Sequence, residues 1–142
     1  MSLKYLIVED STKIREGICE FFNTKSQGQI TIDQAGTGVD GMKLIRSNTY
    51  DLVILDIMLP GVSGFELCKE VRKVNNCPVF FLTSLGGEDS ILKGYELGAD
   101  DYIVKPFNVK ELYAKTEAMV KRYRGNKDFQ ILKIDELELQ VE

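Results

Sequence analysis

Four strand-length runs, Lys4 to Val8, Asp51 to Leu55, Pro78 to Leu82 and Asp101 to Val104, are apolar almost without interruption instead of alternating. A strand with one wet face alternates. A continuous run is the pattern of a strand covered on both faces, as in a parallel sheet sandwiched by helices. A fifth run, Gln29 to Gln34, does alternate and reads as an edge strand. Helix-length segments with start signals lie between the runs. Ser63 and Glu66 have capping-box spacing ahead of Leu67, Cys68 and Val71. Asn108 and Glu111 repeat it before a stripe of Leu112, Thr116, Met119 and Tyr123. Ile14, Ile18 and Phe22 form the face of a helix beginning near Asp10 or Ser11, and Gly98 after Leu97 marks a left-handed helix stop. Five strands alternating with five helices over residues 4–123 predict an α/β fold with a doubly wound parallel sheet and right-handed crossovers.

At 142 residues the chain has room for one ordinary domain and not for two. No apolar run approaches the roughly 20 residues of a membrane span, and the N-terminus carries no signal-peptide pattern. Histidine is absent, and the three cysteines, Cys19, Cys68 and Cys77, form no CxxC pair. Structural zinc sites, Ser-His-Asp catalysis and Cys-His catalysis are therefore excluded. Free thiols without an export signal point to the cytoplasm, with the cysteines as core fillers. A net charge of −4 gives no basis for nucleic-acid binding by this stretch itself. Residues 124–128 read as a polar linker, and Phe129 to Val141 turns apolar again with partial alternation. The expected organisation is a domain over 1–123, followed over 124–142 by a linker and the first strand or strands of a truncated second domain. The Met1-Ser2-Leu3 opening and the abrupt end suggest an expressed fragment.

In open parallel sheets, ligands bind beyond the carboxyl ends of the strands. The first strand delivers Glu9 and Asp10 there, the third Asp56, the fourth Thr83 and Ser84, and the fifth Lys105 and Pro106. One charged residue ending a strand usually just meets water. Four strands delivering three carboxylates, hydroxyls and an ammonium to one edge form a site. Three crowded carboxylates do not stay ionised together without a cation, and a few hard oxygen ligands suit Mg²⁺. With charge neutralised by the cation, Lys105 and the Thr83 hydroxyl, one carboxylate can act as a nucleophile towards phosphorus.

Val8-Glu9-Asp10-Ser11, Leu55 to Gly61 with Gly64, Leu82-Thr83-Ser84, and Gly98 to Tyr102 leading to Lys105-Pro106-Phe107 resemble the receiver domains of two-component response regulators. The stretch Glu96 to Tyr102 with Lys105-Pro106-Phe107 resembles the OmpR/PhoB subfamily. The resemblance covers about residues 4–123. It implies a CheY-like (flavodoxin-like) five-stranded sheet of order 2-1-3-4-5 with helices on both faces, and a signalling switch instead of an enzyme. Asp56 would be the phospho-acceptor. Asp10, Asp56 and the Met58 backbone carbonyl would bind Mg²⁺ directly, and Glu9 through a water. Thr83 would bond the phosphoryl oxygen, Lys105 would pair with it across a cis bond to Pro106, and Tyr102 would swing inward when Thr83 moves. The implied partners are a sensor histidine kinase, a second copy of the chain, and DNA only through a missing C-terminal winged-helix domain; no membrane is involved. The dimer face would be helix 4, strand 5 and helix 5, with Lys93, Asp100, Asp101, Glu111, Lys115 and Arg122, and Asp101 reaching Lys115 of the other copy. Ser84 and Leu85 after Thr83, Gly41, and Ile91 depart from the usual subfamily residues; Gly41 should cost its helix less than about 1 kcal/mol.

Two other chemistries share parts of this pattern. Haloacid-dehalogenase-type phosphatases need a second Asp two positions after the nucleophile, where this chain has Met58. An FMN module of flavodoxin type needs a Ser/Thr/Gly-rich loop after the first strand, where Glu9 and Asp10 would repel a phosphate not accompanied by a metal.

Overall fold

A computed structural model describes residues 2–139, with side chains described as far as residue 125. The elements run β1 (Leu3–Val8), α1 (Thr12–Lys25), β2 (Ile30–Ala35), α2 (Gly38–Ser47), β3 (Leu52–Leu55), α3 (Gly64–Val74), β4 (Val79–Thr83), α4 (Glu88–Glu96), β5 (Asp101–Val104) and α5 (Val109–Leu139). All strand pairs are parallel, in the order β2-β1-β3-β4-β5. The chain reverses its direction of winding at β1, so β2 lies on one side of β1 and β3 on the other. The crevice beyond the carboxyl ends of β1 and β3 is the topological switch point.

The continuous apolar runs have their explanation in two cores. Tyr5 and Ile7 of β1 pack with Ile18, Phe22, Leu112, Tyr113 and Val120, under α1 and α5. Leu6 and Val8 pack on the opposite face with Ile45, Leu67, Cys68, Val71 and Tyr102, under α2, α3 and α4. Cys68 and Cys77 are buried as core fillers and Cys19 is half-buried, all three as free thiols. The helix starts are capped as the spacing predicts: Ser11 Oγ accepts from Ile14, Ser63 Oγ from Glu66, and Asn108 Oδ1 from Lys110 and Glu111. Gly98 has a φ of 98° and ends α4.

Gly64 and Gly41 allow close approach between elements. A Cβ on Gly64 would sit 2.1 Å from the Asp56 carbonyl oxygen, so only glycine lets α3 begin against the end of β3. A Cβ on Gly41 would sit 2.9 Å from Val8, so this residue lets α2 settle on β1. The low helix propensity of Gly41 thus comes with closer packing, and an alanine here would need the Val8 side chain to give way.

The backbone continues as helix through 124–139, where the sequence suggests a linker and then strand. Ile131, Ile134 and Leu137 also recur every three residues, a helix spacing. A helix satisfies its own backbone groups, whereas a strand needs a neighbour to bond. The side chains beyond residue 125, and residues 140–142 altogether, lie outside the described residues, so the second-domain expectation falls there. Among the described residues no helix is long and apolar enough to cross a membrane.

Phe22 is fully buried and meets Tyr113 and Tyr5 edge-on at centroid distances of 5.1 and 6.3 Å. Phe22→Ala should lower unfolding free energy by about 3–5 kcal/mol, measured by urea titration.

Candidate functional site

At the carboxyl edge each strand is pinned by its neighbour before it delivers a side chain. The Glu9 amide donates to Ala35 of β2, the Asp56 amide to Val8 of β1, and the Lys105 amide to Thr83 of β4, at 3.0, 2.9 and 2.8 Å. These ties fix where the polar side chains leave the sheet. Lys105 Nζ then lies 2.6 Å from Glu9 Oε1 and 2.9 Å from Asp56 Oδ2. Glu9 is 1 % exposed and Asp56 5 %, while Asp10 beside them is open to solvent. Glu9, Asp10 and Asp56 each offer a carboxylate oxygen, and these oxygens lie within 4.8 Å of one another.

The remaining oxygens are partly committed. Asp56 Oδ1 accepts the Met58 amide at 3.0 Å, and Glu9 Oε2 accepts the Ser11 amide at 2.9 Å. Glu9 Oε1 is buried and touches the ammonium without a well-aligned hydrogen bond. Burial pushes the Glu9 carboxyl above the usual carboxylate range, against the lowering effects of Lys105 and Ser11. For Lys105, burial works against the charged form, but the bonds and charges of Glu9 and Asp56 outweigh it and hold the ammonium above its ordinary value. The site therefore holds one locked cation among more carboxylate than it can neutralise.

Thr83 is fully buried at the end of β4, with Oγ1 accepting from the Leu85 amide at 3.4 Å. Tyr102 is already turned inward, its hydroxyl donating to the Leu85 carbonyl at 2.6 Å and its ring against Phe81. Burial, then the charge of Asp56, raises its pKa. Two participants carried no sequence signal. One is the Leu85 carbonyl that receives Tyr102. The other is Gly94 of α4, where a Cβ would meet the Tyr102 ring at 2.9 and 3.0 Å and Phe81 at 3.1 Å. The bond between Lys105 and Pro106 is cis, as expected.

Most of the six residues suggested for a dimer face are tied within the chain. Asp100 accepts from Arg72 and from the Val79 amide, each through Oδ2. Lys93 lies over the Phe65 ring, 4.7 Å from its centroid. Asp101 is 3.9 Å from Lys115 of its own chain. Glu111 and Arg122 are exposed.

The family model described as the response regulator receiver domain matches residues 5–117. The chain belongs to the response regulator receiver domain family. It is 40 % identical over 121 residues to the transcriptional regulatory protein CusR of Escherichia coli K12, covering 84 % of this chain and 52 % of that protein. It is 38 % identical over 117 residues to the transcriptional regulatory protein AfsQ1 of Streptomyces coelicolor, covering 82 % and 51 %. The chain spans about half the length of these curated relatives. A solved structure of DrrB, a Thermotoga maritima OmpR/PhoB homolog, superposes with a TM-score of 0.73 at 34 % identity, over 89 % of this chain and 54 % of that one. The receiver fold and the OmpR/PhoB likeness agree with the motifs.

With a tyrosine seated where Gly94 leaves room, the size of residue 94 controls that seat in this receiver domain. Gly94→Ala should displace the Tyr102 ring outward, because the ring is the movable partner in the clash. NMR of fluorotyrosine-labelled protein checks this through a shifted Tyr102 resonance, with the distant Tyr5, Tyr50 and Tyr113 unchanged.

Proposed function

We propose that this receiver domain is the input half of a response regulator in which Asp56 accepts a phosphoryl group from the phosphohistidine of a sensor histidine kinase. The observation that carries the reading is the buried Asp56 carboxylate, bonded to Lys105 and flanked by Glu9 and Asp10. One Asp56 carboxylate oxygen attacks phosphorus as the bond from phosphorus to the kinase imidazole nitrogen breaks, and the electron pair leaves with the imidazole. The product is an acyl phosphate, which water later returns to carboxylate and inorganic phosphate. The chain needs no histidine of its own because the donor supplies it.

The donor set fits Mg²⁺: hard carboxylate oxygens of Glu9, Asp10 and Asp56 within 4.8 Å of one another, with Asp10 open to solvent. Asp10, Asp56 and the Met58 carbonyl would hold the ion, with Glu9 through a water, and the ion would supply positive charge to the phosphoryl oxygens. Lys105 pairs with another phosphoryl oxygen on leaving its carboxylates, and the Thr83 hydroxyl donates to one. Drawing Thr83 towards the phosphoryl group engages the loop that carries Leu85, which holds Tyr102. Asp56 chemistry thus reaches the outer face of α4 and β5.

That face exposes Leu92, Tyr95 and Val104 among charges of both signs, which suits a two-fold contact between phosphorylated copies. Asp101 and Lys115 would exchange their in-chain pair for one across the two-fold axis. The reading continues into residues 124–142 as the lead to a C-terminal winged-helix effector, the DNA-binding output of a cytoplasmic transcription regulator. The printed names of CusR and AfsQ1, both transcriptional regulatory proteins, support it.

Acetyl phosphate with Mg²⁺ should add one phosphoryl mass to the intact protein. Asp56→Asn should abolish the addition, and Asp10→Asn should suppress it together with the rise in melting temperature that Mg²⁺ produces by mass action. A mass gain persisting in Asp56→Asn refutes the reading.

Sedimentation should show beryllofluoride converting monomer to dimer at tens of micromolar, and Lys115→Glu should weaken that dimer. A monomer in both states removes the dimer from the reading.

A further inference from the structure

Arg15, in the first turn of α1, has no part in the chemistry above, yet it is bonded to the loop that carries both acids. Its Nη1 donates to the main-chain carbonyl of Glu9 at 2.6 Å, and its Nε donates to Gln34 Oε1 at 3.2 Å. Its own amide donates to the Ser11 carbonyl at 2.9 Å. The Glu9 carbonyl belongs to the peptide plane that joins Glu9 to Asp10, so its direction sets where the Asp10 side chain leaves the loop. The Glu9 amide is fixed on Ala35, and Glu9 Oε2 on the Ser11 amide. With the carbonyl held as well, the acidic loop is tied on both sides of Glu9. Gly36 keeps the corridor open, since a Cβ there would lie 3.3 Å from Arg15 Nη1.

The choice of partner is informative. An arginine five residues beyond Asp10 could neutralise that carboxylate and would then compete with a cation for it. Among the described ion pairs Arg15 makes none with Asp10 or Glu9, because its guanidinium is spent on a backbone carbonyl and a neutral amide. It thus orders the loop without pairing with either acid. Helix α1 does not need it for capping, which Ser11 already supplies.

We infer that Arg15 is a positioning residue: by holding the Glu9–Asp10 peptide between α1 and Gln34 of β2, it preorganises the two carboxylates for a divalent cation. The inference rests on the metal-site reading given under the proposed function. Groups that orient metal ligands typically change affinity by about ten-fold or more when removed.

The test uses Mn²⁺ alone as the probe and the unphosphorylated protein, with free Mn²⁺ measured by electron paramagnetic resonance. Arg15→Gln should bind Mn²⁺ about ten-fold more weakly than the unaltered chain. Arg15→Lys, which can reach the carbonyl but not also Gln34, should recover part of the loss. Gln34→Ala, at an exposed position, should weaken binding about two-fold in the same direction, a fraction of the full effect. Melting in EDTA separates this from simple stapling, which would lower the metal-free melting temperature and leave the affinity of the folded protein unchanged. Equal Mn²⁺ affinity in Arg15→Gln and the unaltered chain overturns the role of Arg15 and leaves the metal site standing. If Arg15→Gln does not fold, unchanged affinity in Gln34→Ala overturns it instead. An unaltered chain that binds no Mn²⁺ sinks the metal reading and this inference together.

Discussion

A single ammonium held between two buried carboxylates organises the carboxyl edge of the sheet. Lys105 directly follows β5, Glu9 follows β1 and Asp56 follows β3, and no two of these strands are consecutive in the chain. Burying Glu9 and Asp56 without that cation would leave uncompensated charge in the interior, at a cost of several kcal/mol. The parallel sheet makes the arrangement possible, since every strand ends at the same edge. The two apolar cores offset the cost of that ordering; among the described residues the buried polar or charged ones are Glu9, Asp56, Thr83 and Thr116. One ammonium opposite three carboxylates leaves the edge negative, and the functional reading follows from that remainder.

The strands, helix starts and edge residues were legible because each leaves a local trace. Continuous apolar runs report two-sided burial, and Ser63, Asn108 and Ser11 report helix starts through side chains that cap within three residues. The edge residues were legible because parallel topology turns strand ends into neighbours, so Glu9, Asp10, Asp56 and Lys105 could be grouped before any distance was known. Contacts that depend on the absence of an atom were not legible. Gly94, Gly41 and Gly64 act through the Cβ they lack, and a lone glycine in a helical stretch has the same local signature whether it makes room or merely lowers propensity.

Side-chain partners on the outer face were also beyond the sequence. The spacing of charges could not tell that Asp100 turns to Arg72 and the Val79 amide, or that Lys115 meets Asp101 of its own chain. Exposed charges choose among several partners separated by less than about 1 kcal/mol, and the choice depends on backbone positions that the sequence pattern does not fix. Arg15 is a similar case: i, i+4 and strand-end rules concern side chains facing side chains, whereas its partner is a main-chain oxygen.

The cluster also has a consequence for the time at which the chain becomes competent. Asp56 follows Glu9 by 47 positions and Lys105 follows Asp56 by 49, so the three groups meet only after most of the domain has closed on itself. Loops of that length form late relative to the adjacent strand-helix units, whose contacts are local. A chain emerging from the ribosome with β1 to β4 already paired carries the acids but not the lysine that sits between them. The cation between the two buried acids therefore arrives with the last strand, and until then the acids face one another without it.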